Sequence, residues 1–283
     1  MSFFDPLGLL GWLLVHGKIL LQDIWRAGVE WDQRVNDEQA DRWYRWVVIL
    51  QQISSIKIPR CYFMKATEEN YRQLQLHVFV DASEVAYAAV AYFRAVDADG
   101  TTHCVLVSAK NKVAPLKPLS IPRLELQAAA LGTRLMRHVQ ESHSVKVNER
   151  YLWSDSSTVL AWLKADPRKN RQYVACKIGE TLAVTEVNEW RWVPSKCNPA
   201  DLATKYGSGP SLDVEGVWFK GPAFLQQTED MWPKQRIIGN ANEELRACNI
   251  HCEVDMTSTL IDCERFSKWE RMLRRQRHMS ADS

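Results

Sequence analysis

The run Leu74-Gln75-Leu76-His77-Val78-Phe79-Val80, stopped at once by Asp81-Ala82-Ser83, constrains the fold of this chain more than any other feature. It alternates at first and then turns continuously apolar, as a strand does when both its faces are covered. Residues 85–93 read as a second strand of small and β-branched residues, 97–100 as a turn and 102–108 as a third strand, giving a three-stranded meander. Beyond Pro115 and Pro118, Pro122 opens a helix whose following residues, Arg123-Leu124-Glu125-Leu126-Gln127-Ala128-Ala129-Ala130-Leu131, are strong helix formers. Residues 151–154 form a short strand ending at Asp155, 157–164 the next helix, 191–193 a last strand before Pro194, and 200–204 a short helix. Strands first in a meander and then alternating with helices predict an α/β fold with a mixed sheet flanked by helices.

Two other zones flank this central one, which spans residues 72–205. In residues 1–60 the apolar positions recur at helical spacing (Ile19, Leu20, Ile24, Trp25, then Trp43, Trp46, Val47, Leu50), which predicts two amphipathic helices joined near 28–37, with apolar faces that need a partner. Residues 206–283 carry no strong pattern; order is expected to about Trp232, with a loose, basic tail through 271–277 after it. The apolar run 7–15 lacks the basic start and cleavage site of a secretory signal, and Gly17-Lys18 interrupts it short of a membrane span. Seven cysteines, at 61, 104, 176, 197, 248, 252 and 263, follow no framework of regular spacing, which suggests reduced thiols inside a cell, in cytoplasm or nucleus. Cys248, His251, Cys252 and Cys263 raise the question of zinc, but their spacing matches none of the paired knuckles, and scattered thiols are the simpler reading.

The chemistry lies in four acids. Asp81 and Asp155 each end a strand, where open α/β sheets present ligand-binding groups, Glu125 sits in the first turn of a helix and Asp201 starts another. Taken singly, such residues are commonly turn formers or helix-dipole partners. Taken together, four carboxylates from separated positions can converge only through the fold, and that convergence is unfavourable unless cations neutralise it. Two magnesium ions, with manganese as the substitute, suit hard oxygen ligands and an in-line displacement at a phosphate.

The strings Phe4-Asp5-Pro6-Leu7-Gly8-Leu9, Lys18-Ile19-Leu20-Leu21-Gln22, Val80-Asp81-Ala82-Ser83, Ile121-Pro122-Arg123-Leu124-Glu125-Leu126, Trp153-Ser154-Asp155-Ser156 and Asn198-Pro199-Ala200-Asp201-Leu202-Ala203-Thr204 resemble the Bel/Pao group of long-terminal-repeat retrotransposon polyproteins. The similarity runs from about Phe4 to Trp232, and weakly from Arg265 to Arg275. It implies a ribonuclease H-like mixed five-stranded sheet, metal-binding roles for Asp81, Glu125, Asp155 and Asp201, and an RNA/DNA hybrid as substrate. It also implies that residues 1–60 are a remnant of the reverse transcriptase's thumb or connection region, and that other parts of a polyprotein are partners. No Tyr-x-Asp-Asp polymerase motif occurs, so DNA synthesis by this chain alone is not expected. Many ribonucleases H carry a mobile histidine before the last aspartate; Lys196-Cys197-Asn198 stands here, which is expected to slow turnover. The chain stops before any integrase, which suggests a fragment or a genomic relic.

A net charge of only +2 neither demands nor excludes a nucleic-acid partner, so the distribution of charge matters more. Lys164, Arg168, Lys169, Arg171 and Lys177 cluster after the Asp155 strand with Trp162 and Tyr173 interleaved, which suits phosphate contacts plus stacking, and Lys110, Lys112 and Lys117 could line the opposite wall. Two other readings stand beside the nuclease. An aspartic peptidase needs Asp-Thr-Gly or Asp-Ser-Gly, and Asp155-Ser156-Ser157 and Asp81-Ala82-Ser83 both lack that glycine. A catalytically inactive nucleic-acid-binding relic is the other.

Overall fold

The period-two pattern of residues 74–81 is resolved by a sheet covered on both faces. The computed structural model describes residues 3–63, 71–205, 212–234 and 244–245. Five strands, β1 (Tyr71–Ala82), β2 (Ala86–Asp97), β3 (Thr102–Val113), β4 (Glu149–Ser154) and β5 (Trp190–Trp192), lie in the order β3-β2-β1-β4-β5. The meander β1-β2-β3 is antiparallel, whereas β4 pairs parallel to β1 and β5 parallel to β4, so the sheet is mixed as expected. Leu74, Leu76, Val78 and Val80 point into one core cluster and Phe79 into another on the opposite face.

The first face is roofed by α3 (Ile121–Ser142), α4 (Ser157–Lys164) and α5 (Gln172–Leu182), whose apolar residues join Leu76 and Val78 in one cluster. Proline at the first turn starts α3, and Ala128, Ala129 and Gly132 let it settle directly on β1 and β2. A Cβ at Gly132 would run into the Val80 side chain, so the small residue sets the helix-to-sheet distance.

On the second face the amino-terminal helices find the apolar partner that their sequence demanded. Trp12 and Leu13 of α1 (Gly11–Arg26) share a cluster with Phe79, Tyr92 and Trp153 of the sheet. Trp46 of α2 (Asp37–Gln51) donates its indole N–H to the Leu13 carbonyl at 3.0 Å, and its ring occupies the space that Gly17 leaves open. The Asp5-Pro6-Leu7-Gly8 string is a docking device. The Asp5 carboxylate accepts the Leu9 and Leu10 amides, both at 2.9 Å, and the Leu7 carbonyl accepts the Ala109 amide at 2.8 Å and the Ser108 hydroxyl at 2.7 Å on edge strand β3. Gly8 has φ +73°, and a side chain there would overlap the Ala109 carbonyl, so only glycine fits. Residues 212–234 complete this face. Trp218, Phe219 and Leu225 are buried, Tyr92 Oη donates to the Trp218 carbonyl at 2.7 Å, and α6 (Val217–Lys220) is the one α-helical turn among them.

Beneath this cover lies a buried polar network. His77, with no exposure, accepts the Trp153 indole N–H at 3.1 Å and meets Gln75 at 3.3 Å, while Arg94 donates to Gln75 at 2.7 Å and to the Leu225 and Gln227 carbonyls at 2.7 and 2.9 Å. Burial, and then the Arg94 charge, hold His77 well below the usual histidine range, so it stays neutral.

Three details depart from the sequence reading. Strand β3 continues to Val113, past the expected end at Ser108, because Lys110 and Lys112 project outward while the backbone stays paired with β2. The expected helix at 200–204 is a 3-10 turn, Pro199–Ala203, capped by the Asn198 side chain, which accepts the Ala200 amide at 3.2 Å. Trp162 is 1% exposed and belongs to the core under α3, so it cannot stack on a base. The four cysteines among the described residues, Cys61, Cys104, Cys176 and Cys197, are free thiols, whereas Cys248, His251, Cys252, Cys263 and the basic run 271–277 lie outside the described residues. Among the described residues no helix is long and apolar enough to cross a membrane.

Candidate active site

The parallel pairing of β1 with β4 decides where the first two acids meet. Val80 is opposite Ser154, so Asp81 and Asp155 take the next position at the carboxyl ends of neighbouring strands, with backbones about 4.8 Å apart. Glu125 reaches the same edge from the second turn of α3, one turn later than expected because the helix already starts at Ile121, and Asp201 from the 3-10 turn packed against β1 and β2. All four carboxylates thus gather at one end of the sheet, although they come from four separate chain segments.

Local motifs lock them there. The Asn198 side-chain amide donates to the Val80 carbonyl at 3.0 Å, and Ser83 Oγ donates to the Thr204 carbonyl at 2.7 Å, so the last loop is clamped to both sides of Asp81. Thr204 Oγ1 donates to Asp81 Oδ2, Ser156 Oγ to Glu125 Oε2, and Ser195 Oγ to Asp155 Oδ2 at 2.6 Å. Lys205 pairs with Asp201 and also acts on Asp81 and Asp155. Ser156 additionally caps α4 by accepting the Val159 amide at 3.2 Å, which ties the Asp155 turn to the Glu125 helix. Ser156, Ser195, Thr204 and Lys205 did not stand out in the sequence. Each lies inside or next to a quoted string, but nothing in a single hydroxyl's identity reveals which carboxylate it faces.

Electrostatics record the crowding. Burial raises Asp81 to about 7, the like charges of Asp155 and Asp201 push the same way, and the Thr204 bond and Lys205 oppose them. Glu125 is also pushed up to about 7, by burial first and then by Asp155, against the Ser156 bond. Among the described residues no three His, Cys, Asp or Glu side chains converge closely enough to hold one ion in common. Each carboxylate is instead bonded to a hydroxyl or an ammonium of the protein itself. The donor set nevertheless fits hard divalent cations: four carboxylates at one edge, two of them raised by burial and by their acidic neighbours.

The basic residues are less uniform. Lys164 ends α4, Arg168 and Lys169 lie in the 3-10 turn Pro167–Lys169, and Arg171 precedes α5. Lys177 is paired with Glu180 at 2.8 Å and Arg168 with Asp166 at 3.1 Å. Tyr173 is occupied as well, receiving a hydrogen bond from Gln127 at 2.8 Å and carrying the Arg123 guanidinium over its ring. Lys112 is level with Tyr87, which pairs with Ala82, so it stands at the carboxylate end of the sheet, two strands away from β1.

No curated protein matches the chain. Among solved structures it is similar to the N-terminal RNase H domain of Rv2228c from Mycobacterium tuberculosis, solved as a fusion with maltose binding protein, at 15% identity and a TM-score of 0.34 over 47% of this chain and 91% of that one. It is similar also to RNase H1 from the archaeon Halobacterium salinarum, at 14% identity and a TM-score of 0.30 over 45% of this chain and 90% of that one. The sequence profile of the Pao retrotransposon-like RNaseH-like domain matches residues 1–156, a stretch that takes in α1 and α2, the meander, α3 and three of the four acids. The chain therefore belongs to the family of Pao retrotransposon-like RNaseH-like domains.

Proposed function

We propose that this chain is a metal-dependent hydrolase of ribonuclease H type that cuts the RNA strand of RNA/DNA hybrids, with Asp81, Glu125, Asp155 and Asp201 as its metal ligands. The observation that carries the reading is the meeting of four carboxylates at one sheet end, two of them pushed up to about 7 by burial and then by the neighbouring carboxylates. Two bound magnesium or manganese ions supply an activated water and a positive charge at the leaving oxygen. The protein's own part is to hold the carboxylates in place. Thr204, Ser156 and Ser195 orient Asp81, Glu125 and Asp155, and Lys205 tempers their repulsion. Lys164, Arg168, Lys169, Arg171 and Lys177 contact backbone phosphates, so the hybrid is recognised by shape and 2′-hydroxyls rather than by base sequence.

In this reading residues 72–205 carry the nuclease, residues 1–60 are the end of a reverse transcriptase retained as a cover for the sheet, and residues 206–283 are an extension. The test is cleavage of a labelled RNA/DNA hybrid by the full chain with magnesium, with EDTA, and with Asp81→Asn. Magnesium-dependent cutting lost in the variant is the expected result. A folded protein that binds the hybrid without cutting it is the inactive relic instead, and one that leaves the hybrid alone but cuts polypeptide is the peptidase.

A further inference from the structure

At the carboxylate end of the sheet a second group of cations stands on the β3 side, away from residues 164–177. Asp81 pairs with Ala88 of β2, and Ala88 with Asn111 of β3, so Asn111 is level with Asp81 at two strand spacings, about 10 Å. Lys110 and Lys112 flank Asn111 on this edge strand, and both are exposed. Asn111 also fixes a third cation. Its side-chain oxygen accepts Lys18 Nζ at 2.8 Å, and its side-chain amide donates to the Gly11 carbonyl at 2.5 Å. One turn further along α1, Gln22 donates to the Ala114 carbonyl at 2.6 Å, and Val15 and Ile19 pack on Val85 and Ala86 at the β1–β2 turn. The helix is thus held at the carboxylate end and delivers the Lys18 ammonium there. Lys18, Lys110 and Lys112 line one cavity of about 260 Å³. Among the described residues Lys110 and Lys112 form no ion pair, whereas Arg168 and Lys177 of the other basic stretch are paired with Asp166 and Glu180. The acid in the cavity lining, Asp5, has its two carboxylate oxygens occupied by the Leu9 and Leu10 amides, each at 2.9 Å. Burial lowers Lys18 from the usual lysine range and Asp5 offsets only part of this, so an anion entering the cavity would stabilise the charged ammonium.

We propose that Lys18, Lys110 and Lys112 form a phosphate-binding wall for the backbone of the hybrid on the β3 flank of the carboxylate cluster, and that α1 is thereby part of the substrate surface as well as a cover for the sheet. The proposal rests on the nuclease reading and adds the second flank of the duplex to it. Carboxylates repel a phosphate backbone wherever no cation stands between them, so a duplex lying across this end of the sheet needs positive charge on both sides of the cluster. Ammonium groups supply it as point charges that position the backbone and read no sequence.

The test is fluorescence anisotropy of a short labelled RNA/DNA hybrid with the full chain in EDTA, over a series of salt concentrations. Lys18→Gln is expected to bind about tenfold more weakly at low salt, with a slope of log K against log salt flatter by about 0.9, the signature of one lost phosphate contact. Lys18→Gln combined with Lys110→Gln and Lys112→Gln is expected to flatten the slope by about 2.7. A charge-matched control, Lys57→Gln with Arg72→Gln and Lys146→Gln, removes three cations at the opposite end of the sheet, beside the starts of β3, β1 and β4, and is expected to keep the wild-type slope. Hybrid binding that the Lys18, Lys110 and Lys112 triple variant leaves unchanged in affinity and slope overturns the wall and leaves the nuclease reading standing. An equal loss in the control triple also overturns it, since total charge then decides binding. A wild-type slope in Lys18→Gln alone overturns the part assigned to α1. Absence of hybrid binding by the wild-type chain and by every variant overturns the wall and the nuclease reading together.

Discussion

Replacing Asp81 by asparagine separates the cost of the carboxylate cluster from its use. Asp81 is 7% exposed and raised from an ordinary 3.8 to about 7, a difference worth about 4 kcal/mol at 1.36 kcal/mol per pH unit. Water at the rim screens part of this, so about 2 kcal/mol is the expected gain when the charge is removed, because Asn Oδ1 can still accept the Thr204 hydroxyl. For a domain of this size that is a rise in Tm of about 4–8 °C. The sign follows from linkage: the folded state holds the Asp81 proton between pH 3.8 and about 7 while the unfolded chain has lost it. Wild-type stability from this group therefore falls as pH rises through that window and is flat above it. The advantage of Asp81→Asn should be near zero at pH 4, complete by pH 7 and constant at pH 8. Thermal unfolding by circular dichroism in EDTA, comparing the two proteins at each pH, measures it directly. With magnesium the order should reverse, since only the wild type gains from the ion. A variant that is less stable than wild type at pH 8 in EDTA refutes the claim that these acids repel one another in the empty cluster.

Asp155→Asn and Asp201→Asn should each abolish magnesium-dependent cleavage of a hybrid in a gel assay while leaving the far-ultraviolet spectrum unchanged; retention of more than a tenth of the activity in either, on the order of 1.4 kcal/mol in the barrier, removes that residue from the ligand set. Gly8→Ala should destabilise the chain by about 2 kcal/mol or more through its clash with the Ala109 carbonyl, read as a shift in urea midpoint; a neutral result means that residues 5–8 do not dock on β3 as described. His77→Leu leaves the Trp153 indole N–H without its acceptor and should cost about 1–3 kcal/mol, whereas His77→Gln should cost less at pH 5 than at pH 8, because the wild-type histidine resists the proton that the unfolded chain takes up below about pH 6.5. Lys164→Ala with Lys169→Ala should lower the salt slope of hybrid binding by about 1.8 if both touch phosphates, and an unchanged slope assigns them to a merely solvated surface.

Much of the sheet could be read from the residues alone, because a strand covered on both faces has little choice of composition. The segment 74–80, the small residues of β2 and the proline-started helix carrying Glu125 all obey local rules that survive without tertiary context. What local rules could not supply was the fate of Trp162, which sits between basic residues in sequence and inside the core in space. Its helix has one buried face, and only the packing against α3 decides which residues belong to it. The second face of the sheet was hidden for a similar reason. Residues 7–15 are apolar enough to want a partner, but that partner is formed by β3 and by Trp218, more than two hundred positions along the chain.

The acids show the division most clearly. Sequence alone determined their chemistry: three aspartates and a glutamate at element ends, oxygen donors suited to hard cations, separated by segments with strand and helix patterns. Only the tertiary structure decided that they share an edge, because a parallel pairing of β1 with β4 is a contact between residues about seventy positions apart and leaves no trace in either segment. It also decided which hydroxyl holds which carboxylate and that Lys18 rests on Asn111, since hydrogen-bond partners are selected by distance in space, for which separation along the chain is no guide.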